Sequence, residues 1–193
     1  MGLDTRIGNR FLEPGPGWGG SCFPKDTKAL ESIANSFGVE LPLITTAISS
    51  NEAAHKRVAD RVANAVGGSL TGKTIAVLGL TFKANTDDTR ESPSIAVIEQ
   101  LISRGGKVVA YDPMVTKYEL AGLSLADSAV SAASDAHALV VLTEWAEFKD
   151  IDAKQVLAAM SGKVVVDTRN VFNQKTWEAA GAMIPNHSTT RVV

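Results

Sequence analysis

The chain has 193 residues, a formal net charge of −2, 45% hydrophobic and 21% charged residues, one cysteine and three histidines. This is the balance of an ordinary globular protein, with length for one full domain and a smaller piece. It excludes a basic footprint for nucleic acid, a polybasic membrane-binding surface, an intrachain disulfide framework and a cysteine-based zinc cluster. Residues 1–26 are rich in glycine and proline and read as loop. Asp26 or Thr27 is a candidate cap for a helix to about Phe37. Its apolar stripe is Ala29, Leu30, Ile33, Ala34 and Phe37, and Gly38 is its stop. Pro42 opens a longer helix ending at Gly67-Gly68, with Ile44, Ala47, Ile48, Ala54, Val58, Val62 and Val66 apolar. Ser49-Ser50-Asn51-Glu52 interrupts that pattern, so part of this helix faces something polar. Residues 67–72 form a linker by composition.

Beyond the linker the pattern changes. Residues 74–78, 108–111, 138–142 and 164–166 read as buried strands. Helices are expected over residues 94–103, with Ile95, Ile98, Leu101 and Ile102 inward, around Leu157, and over residues 175–180. Continuous apolar strands separated by helices predict an α/β fold, a doubly wound parallel sheet of Rossmann-like type with its ligand crevice at the carboxyl ends of the strands. The expected organisation is a cysteine-bearing loop and helical segment over residues 1–68, then the Rossmann-like domain over residues 69–193. The apolar runs are far too short to span a bilayer. The opening residues hold no basic region followed by an apolar stretch, and a lone thiol fits a reducing compartment, so a cytoplasmic location is expected. His55, His137 and His187 have no ligand spacing, and no metal is expected.

The lone thiol sits in Gly15-Pro16-Gly17-Trp18-Gly19-Gly20-Ser21-Cys22-Phe23-Pro24-Lys25-Asp26. Glycine admits positive φ and close approach by another molecule. A thiol attacks as its thiolate, a form that cationic neighbours favour. A carboxylate one turn further on, Asp26, is suited to orienting or deprotonating water. The segment reads as a covalent-catalysis site on a tight turn opening a helix; the plainer alternative is a buried structural cysteine. After the strand at residues 74–78 a dinucleotide fold would carry G-x-G-x-x-G. Gly79-Leu80-Thr81-Phe82-Lys83-Ala84 lacks the second and third glycines, so this is not read as the NAD domain. Phe82 suits stacking on a base or sugar and Lys83 suits a phosphate, against a core Phe and a solvated Lys. Asp87, Asp88, Arg90 and Glu91 form a charge run before Pro93. Glu91 or Ser92 suits a helix start there, within reach of an anion held by Arg90. Arg169, in Asp167-Thr168-Arg169-Asn170 after the last strand, matches phosphate or sugar hydroxyls; the alternative is a surface Asp–Arg pair. Asp112, with Pro113, is read as a turn.

Gly19-Gly20-Ser21-Cys22-Phe23-Pro24-Lys25-Asp26 resembles the catalytic-cysteine motif of the nucleotide-sugar dehydrogenases, the UDP-glucose/GDP-mannose dehydrogenase family. The resemblance continues, in the family's order, through Arg6-Ile7-Gly8-Asn9-Arg10-Phe11-Leu12, Gly79-Leu80-Thr81-Phe82-Lys83, Asp88-Thr89-Arg90-Glu91-Ser92-Pro93-Ser94 and Asp167-Thr168-Arg169-Asn170. It implies NAD as cofactor and a UDP-sugar as substrate. The implied reaction oxidises UDP-glucose to UDP-glucuronate in two steps, through a thiohemiacetal and a thioester on cysteine, and feeds polysaccharide biosynthesis. By resemblance Cys22 and Asp26 are catalytic. Arg6, Phe11, Leu12, Glu13, Gly17, Gly19, Phe82, Lys83 and Arg169 contact the nucleotide-sugar, much of it through backbone groups of the glycine loop. Cys22, Lys25 and Arg90 contact the cofactor. Arg6 would reach a neighbouring subunit, and the helical segment would serve a homodimer or higher homo-oligomer. The family's G-x-G-x-x-G domain, and its central-helix lysine and asparagine, match nothing in this chain. The expectation is therefore a C-terminal portion that does not turn over alone. The alternatives are a GDP-mannose or UDP-N-acetylhexosamine dehydrogenase, and a non-catalytic nucleotide-binding or oligomerisation module.

Overall fold

Two helices precede the first strand. Helix α1 (Phe23–Ser36) begins before the expected caps at Asp26 and Thr27. The reason is Pro24 in its first turn, where a missing N–H costs nothing and φ is already helical. Cys22 is its N-cap residue, without a side-chain capping bond. Helix α2 (Pro42–Ala65) likewise opens on proline, and it closes where the Gly68 N–H returns to the Ala63 carbonyl at 2.7 Å. The computed structural model describes residues 1–8 and 12–185.

The strands β1 (Thr74–Leu78), β2 (Lys107–Tyr111), β3 (Leu123–Leu125), β4 (Ala138–Val141) and β5 (Val164–Asp167) form one sheet in the order β3-β2-β1-β4-β5. Every pairing is parallel. The connections carry α3 (Pro93–Ser103), α4 (Ala129–Ala133), a 3₁₀ turn (Ala146–Asp150) and α5 (Ala153–Ala159), and α6 (Gln174–Ala179) follows β5. This is the doubly wound α/β architecture. Ser92 is the N-cap of α3, its hydroxyl accepting the Ser94 N–H.

The strands read as unbroken apolar runs because both faces of the sheet are covered. On one face Ile75, Val77, Val108, Val140 and Val166 meet Val97, Ile98 and Leu101 of α3 together with Ala59, Val62 and Ala63 of α2. On the other, Ala76, Leu78, Leu139, Val141 and Val165 meet Phe148, Val156, Leu157 and Trp177. Each such Val, Leu or Phe contributes about 1.5–3 kcal/mol by leaving water. The C-terminal half of α2 thus belongs to the sheet's core. The N-terminal half of α2 and the outer face of α1 do not: Leu43 is 85% exposed, Phe37 80% and Ile33 58%. The connection from β3 to β4 carries the chain past β1. This makes the carboxyl ends of β1 and β4 the topological switch point where ligands bind in this architecture.

Candidate functional site

The turn after β1 is held from below. Asp112, just past β2, is 4% exposed. Its Oδ2 accepts the Leu80 N–H at 2.7 Å, the Thr81 N–H at 3.2 Å, the Thr81 hydroxyl at 3.3 Å and the Trp145 indole N–H at 3.1 Å. Its Oδ1 accepts the Met114 N–H at 2.9 Å. The Thr143 hydroxyl donates to the Thr81 carbonyl, and the Ser92 hydroxyl to that of Leu80, both at 2.7 Å. Asp112-Pro113 does form a turn, and Asp112 is in addition the buried anchor of the segment that carries Phe82 and Lys83. In a dinucleotide fold a carboxylate near this position meets a ribose. Here it is engaged by its own chain, and the glycines that would admit a pyrophosphate are absent. The turn does not fit NAD.

The glycine-rich loop crosses this edge of the sheet. The Gly20 N–H donates to the Glu91 carbonyl at 3.2 Å, and the Phe82 ring lies against Gly20. A Cβ on Gly19 would stand 2.3 Å from the Glu91 carbonyl oxygen, and one on Gly15 would stand 1.9 Å from Nη1 of Arg169. At Gly19 glycine is required because the loop closes on backbone, whereas at Gly15 a side chain would displace the end of Arg169. Gly17 lies against Asn51 and His55 of α2. The Asn51 side chain clasps Trp18, accepting its N–H at 2.8 Å and donating to its carbonyl at 3.0 Å. This clasp is what the polar interruption in α2 faces.

Cys22 ends the loop as an exposed free thiol, 3.7 Å from the Ser21 hydroxyl. Its exposure removes the alternative of a buried structural cysteine. Lys25 and Asp26 follow on the first turn of α1 and pair with each other at 2.6 Å, both exposed. The Asp26 partner raises the Lys25 ammonium above its ordinary value, with a smaller contribution from Cys22. Asp26, expected to handle water, is thus engaged by its neighbour. Arg90 pairs with Asp88 at 2.8 Å, and the Arg90 hydrogen bonds hold the Asp88 carboxyl down at about 2.

Phe82 is half-buried; Lys83 is exposed, with its ammonium 5.1 Å from the Phe82 ring centroid. Arg169 is not half of a surface Asp–Arg pair. Asp167 accepts the N–H groups of Arg169 and Phe172 at 2.9 and 2.8 Å, while the guanidinium turns to Glu144. Glu144, from the segment after β4, was not singled out by the sequence. Gly15, Gly20, Phe82 and Arg169 thus stand together at the carboxyl edge. Arg6 is a different case: its guanidinium pairs with Asp4 at 2.7 Å and is 86% exposed. Leu12 and Glu13 are exposed, and Phe11 lies outside the described residues.

A separate cavity of about 570 Å³ opens between α2 and α3, with Trp18, Asn51, His55, Arg90, Glu91 and Tyr118 on its wall. Cys22, Phe82, Lys83 and Arg169 do not line it. Burial pushes the His55 imidazole down, against a smaller opposing pull from Glu52. Among the described residues no cluster of His, Cys, Asp or Glu could hold a metal, and no helix is long and apolar enough to cross a membrane.

A doubly wound parallel sheet with a crevice at its switch point is a nucleotide-binding architecture. Comparison with known proteins narrows it. Residues 76–174 match the UDP binding domain of the UDP-glucose/GDP-mannose dehydrogenase family, and residues 1–53 match that family's central domain. The chain belongs to this family. It is 44% identical over 177 residues to a UDP-glucose 6-dehydrogenase of Rhizobium meliloti, covering 90% of this chain and 40% of that protein. A solved UDP-glucose dehydrogenase from the archaeon Pyrobaculum islandicum superposes with a TM-score of 0.76 at 33% identity, over 96% of this chain and 41% of that one. An NDP-N-acetyl-D-galactosaminuronic acid dehydrogenase from Methanosarcina mazei gives a TM-score of 0.77 at 26% identity, over 89% and 38% of the two chains. The chain therefore spans about two-fifths of the length of these relatives.

Proposed function

We propose that this chain supplies the nucleotide-sugar crevice and the reactive thiol of an NAD-dependent UDP-glucose 6-dehydrogenase. The carrying observation is an exposed thiol at the end of a loop that packs directly on Phe82 and Arg169. A family model described as a UDP binding domain, and relatives named UDP-glucose 6-dehydrogenase, support the choice of substrate. In this account Phe82 stacks on the nucleotide and Lys83 meets a phosphate. Arg169, paired with Glu144 through one nitrogen, meets phosphate or sugar oxygens through its remaining donors. Gly17, Gly19, Leu12 and Glu13 line the sugar side, and Arg6 reaches that of a neighbouring subunit.

The sugar's primary alcohol ends as a carboxylate, a loss of four electrons in two steps. NAD⁺, when bound, supplies the electron acceptor. Cys22 adds to the aldehyde through its sulfur, forming a C–S bond while the carbonyl oxygen takes a proton, to give a thiohemiacetal. Oxidation of that carbon gives a thioester. Water cleaves the C–S bond, releasing carboxylate and thiol, and Asp26 orients the water once Lys25 turns to the cofactor. Lys25 and Arg90 offer positive charge on the thiol's side. The described residues form no dinucleotide cradle, so the 193 residues alone bind nucleotide-sugar without turnover. The exposed apolar face of Ile33, Phe37 and Leu43 supports homodimer formation, which sedimentation of a Phe37→Glu variant tests: it should be monomeric where the parent is dimeric.

The resemblance to an N-acetylhexosaminuronate-forming enzyme keeps a second substrate in view, a UDP-N-acetylhexosamine. Thermal shifts with UDP-glucose, UDP-N-acetylhexosamines and GDP-mannose separate the readings. The account expects the largest shift with UDP-glucose and no steady NADH formation. A larger shift with an N-acetylhexosamine moves the substrate, and steady NADH formation by the isolated chain overturns its inactivity.

A further inference from the structure

Three tripeptides of identical sequence carry the three candidate arginines: Asp4-Thr5-Arg6, Asp88-Thr89-Arg90 and Asp167-Thr168-Arg169. In each, Oδ1 of the aspartate accepts the arginine N–H two residues on, at 3.0, 3.0 and 2.9 Å. This is the side-chain turn that aspartate makes with its own backbone. Arg6 forks back on Asp4, Nε to Oδ1 at 3.0 Å and Nη2 to Oδ2 at 2.7 Å, on a carboxylate that is 36% exposed. Arg169 reaches across to Glu144. Arg90 closes back on the same carboxylate with both prongs, Nε to Oδ1 at 2.9 Å and Nη2 to Oδ2 at 2.8 Å. Such a fork fixes the plane of the guanidinium as well as its distance. It occupies Nε–H and one Nη2–H, leaving the Nη1 donors for another partner.

The two partners are unequally exposed. The Asp88 side chain is 16% exposed and that of Arg90 73%. Asp88 is therefore the fixed end and Arg90 the presented one. The backbone brings the Arg90 segment up to the cysteine loop: the next residue, Glu91, takes the Gly20 N–H at 3.2 Å, two residues before Cys22. The Arg90 guanidinium holds its proton more firmly chiefly through Asp88, with lesser contributions from Cys22 and Asp87.

We propose that Asp88 is a positioning residue that holds the Arg90 guanidinium in a fixed plane beside the Cys22 sulfur. Other charges share this edge: Lys25 with Asp26 on α1, and Lys28 with Glu91 at 3.5 Å. Both are matched pairs, and Asp87 stands nearby as a further anion. Arg90 differs from both lysines in being held at two points by its carboxylate. An anion bound or formed at the thiol meets a preset partner instead of a mobile one. The inference rests on Cys22 as the reactive group, but its test reads the sulfur's surroundings and does not depend on turnover.

The single cysteine makes the test direct, because any alkylation reports Cys22. Rates with anionic iodoacetate and neutral iodoacetamide are measured at fixed pH, and their ratio is compared between variants. A general loosening changes both rates alike and cancels. Asp88→Asn removes a negative charge. If Asp88 acted only as a charge, the ratio would rise. If it aims Arg90, the ratio falls, by about two- to fivefold as an exposed charge interaction allows. Arg90→Lys, which keeps the charge and loses the fork, should fall with it. In an Arg90→Ala background, Asp88→Asn should no longer lower the ratio. A ratio that rises or stays constant in Asp88→Asn overturns the proposal, as does a fall that persists without Arg90.

Discussion

Replacing Asp112 should remove the support under the β1 turn, by an amount the structure sets. Leu80 and Thr81 are 0% exposed and Trp145 7%, so no water can take over from the carboxylate. Asp112→Ala leaves the Leu80 N–H, the Thr81 N–H and the Trp145 indole N–H without their acceptor. A buried donor left unpaired costs about 1–3 kcal/mol, and partial relaxation of three of them leaves about 4–6 kcal/mol. That approaches the whole stability of a domain, about 5–15 kcal/mol. Asp112→Asn separates the chemistry from the shape. The amide oxygen can still serve the donors at Oδ2, while the NH₂ group faces the Met114 N–H, donor against donor. The cost should be about 1–2 kcal/mol. Urea unfolding followed by tryptophan fluorescence reads both, as midpoint shifts at constant slope. Equal losses for the two variants, or a loss under about 1 kcal/mol for Asp112→Ala, would refute the reasoning.

Asn51→Ala breaks both bonds to Trp18 and should cost about 1–2 kcal/mol at this half-buried position; Asn51→Asp keeps the acceptor but sets an oxygen against the Trp18 carbonyl, and should cost no less. Hydrogen exchange should localise the loss to residues 17–20, and uniform loosening of the sheet would contradict the clasp. His55 has its imidazole pushed below the ordinary 6.5 by burial, so on acidification the unfolded chain takes up the proton first. Its stabilising contribution is complete above pH ~6.5 and declines as pH falls toward the lower folded value. Melting temperatures of His55→Gln should vary less over that window than those of the parent; identical slopes would rule out the contribution.

The sheet was legible because its four long strands carry continuous apolar runs, the pattern of strands covered on both faces. β3 and α4 were not. Leu123-Ser124-Leu125 is too short to show alternation, and Ala129–Ala133 too short to show a helical period. The start of α1 was misjudged because capping side chains were sought where Pro24 opens the helix. The glycine loop was legible as a close-approach device, yet two of its approaches, at Gly15 and Gly19, are filled by Arg169 and Glu91. Asp112 and Glu144 were hidden for a common reason. Each acts on a residue 25 or more positions away, on Leu80, Thr81 and Trp145 or on Arg169. No local spacing reports that kind of partnership. Arg90 and Asp88 were visible as a charge run, but the fork between them is a matter of side-chain planes.

The central claim is that the nucleotide-sugar crevice and the exposed thiol form one site. The direct measurement is the alkylation rate of Cys22 as UDP-glucose is added to the chain. The account predicts saturable protection, lost in Phe82→Ala and Arg169→Ala variants that remain folded. An alkylation rate indifferent to saturating UDP-glucose would contradict it.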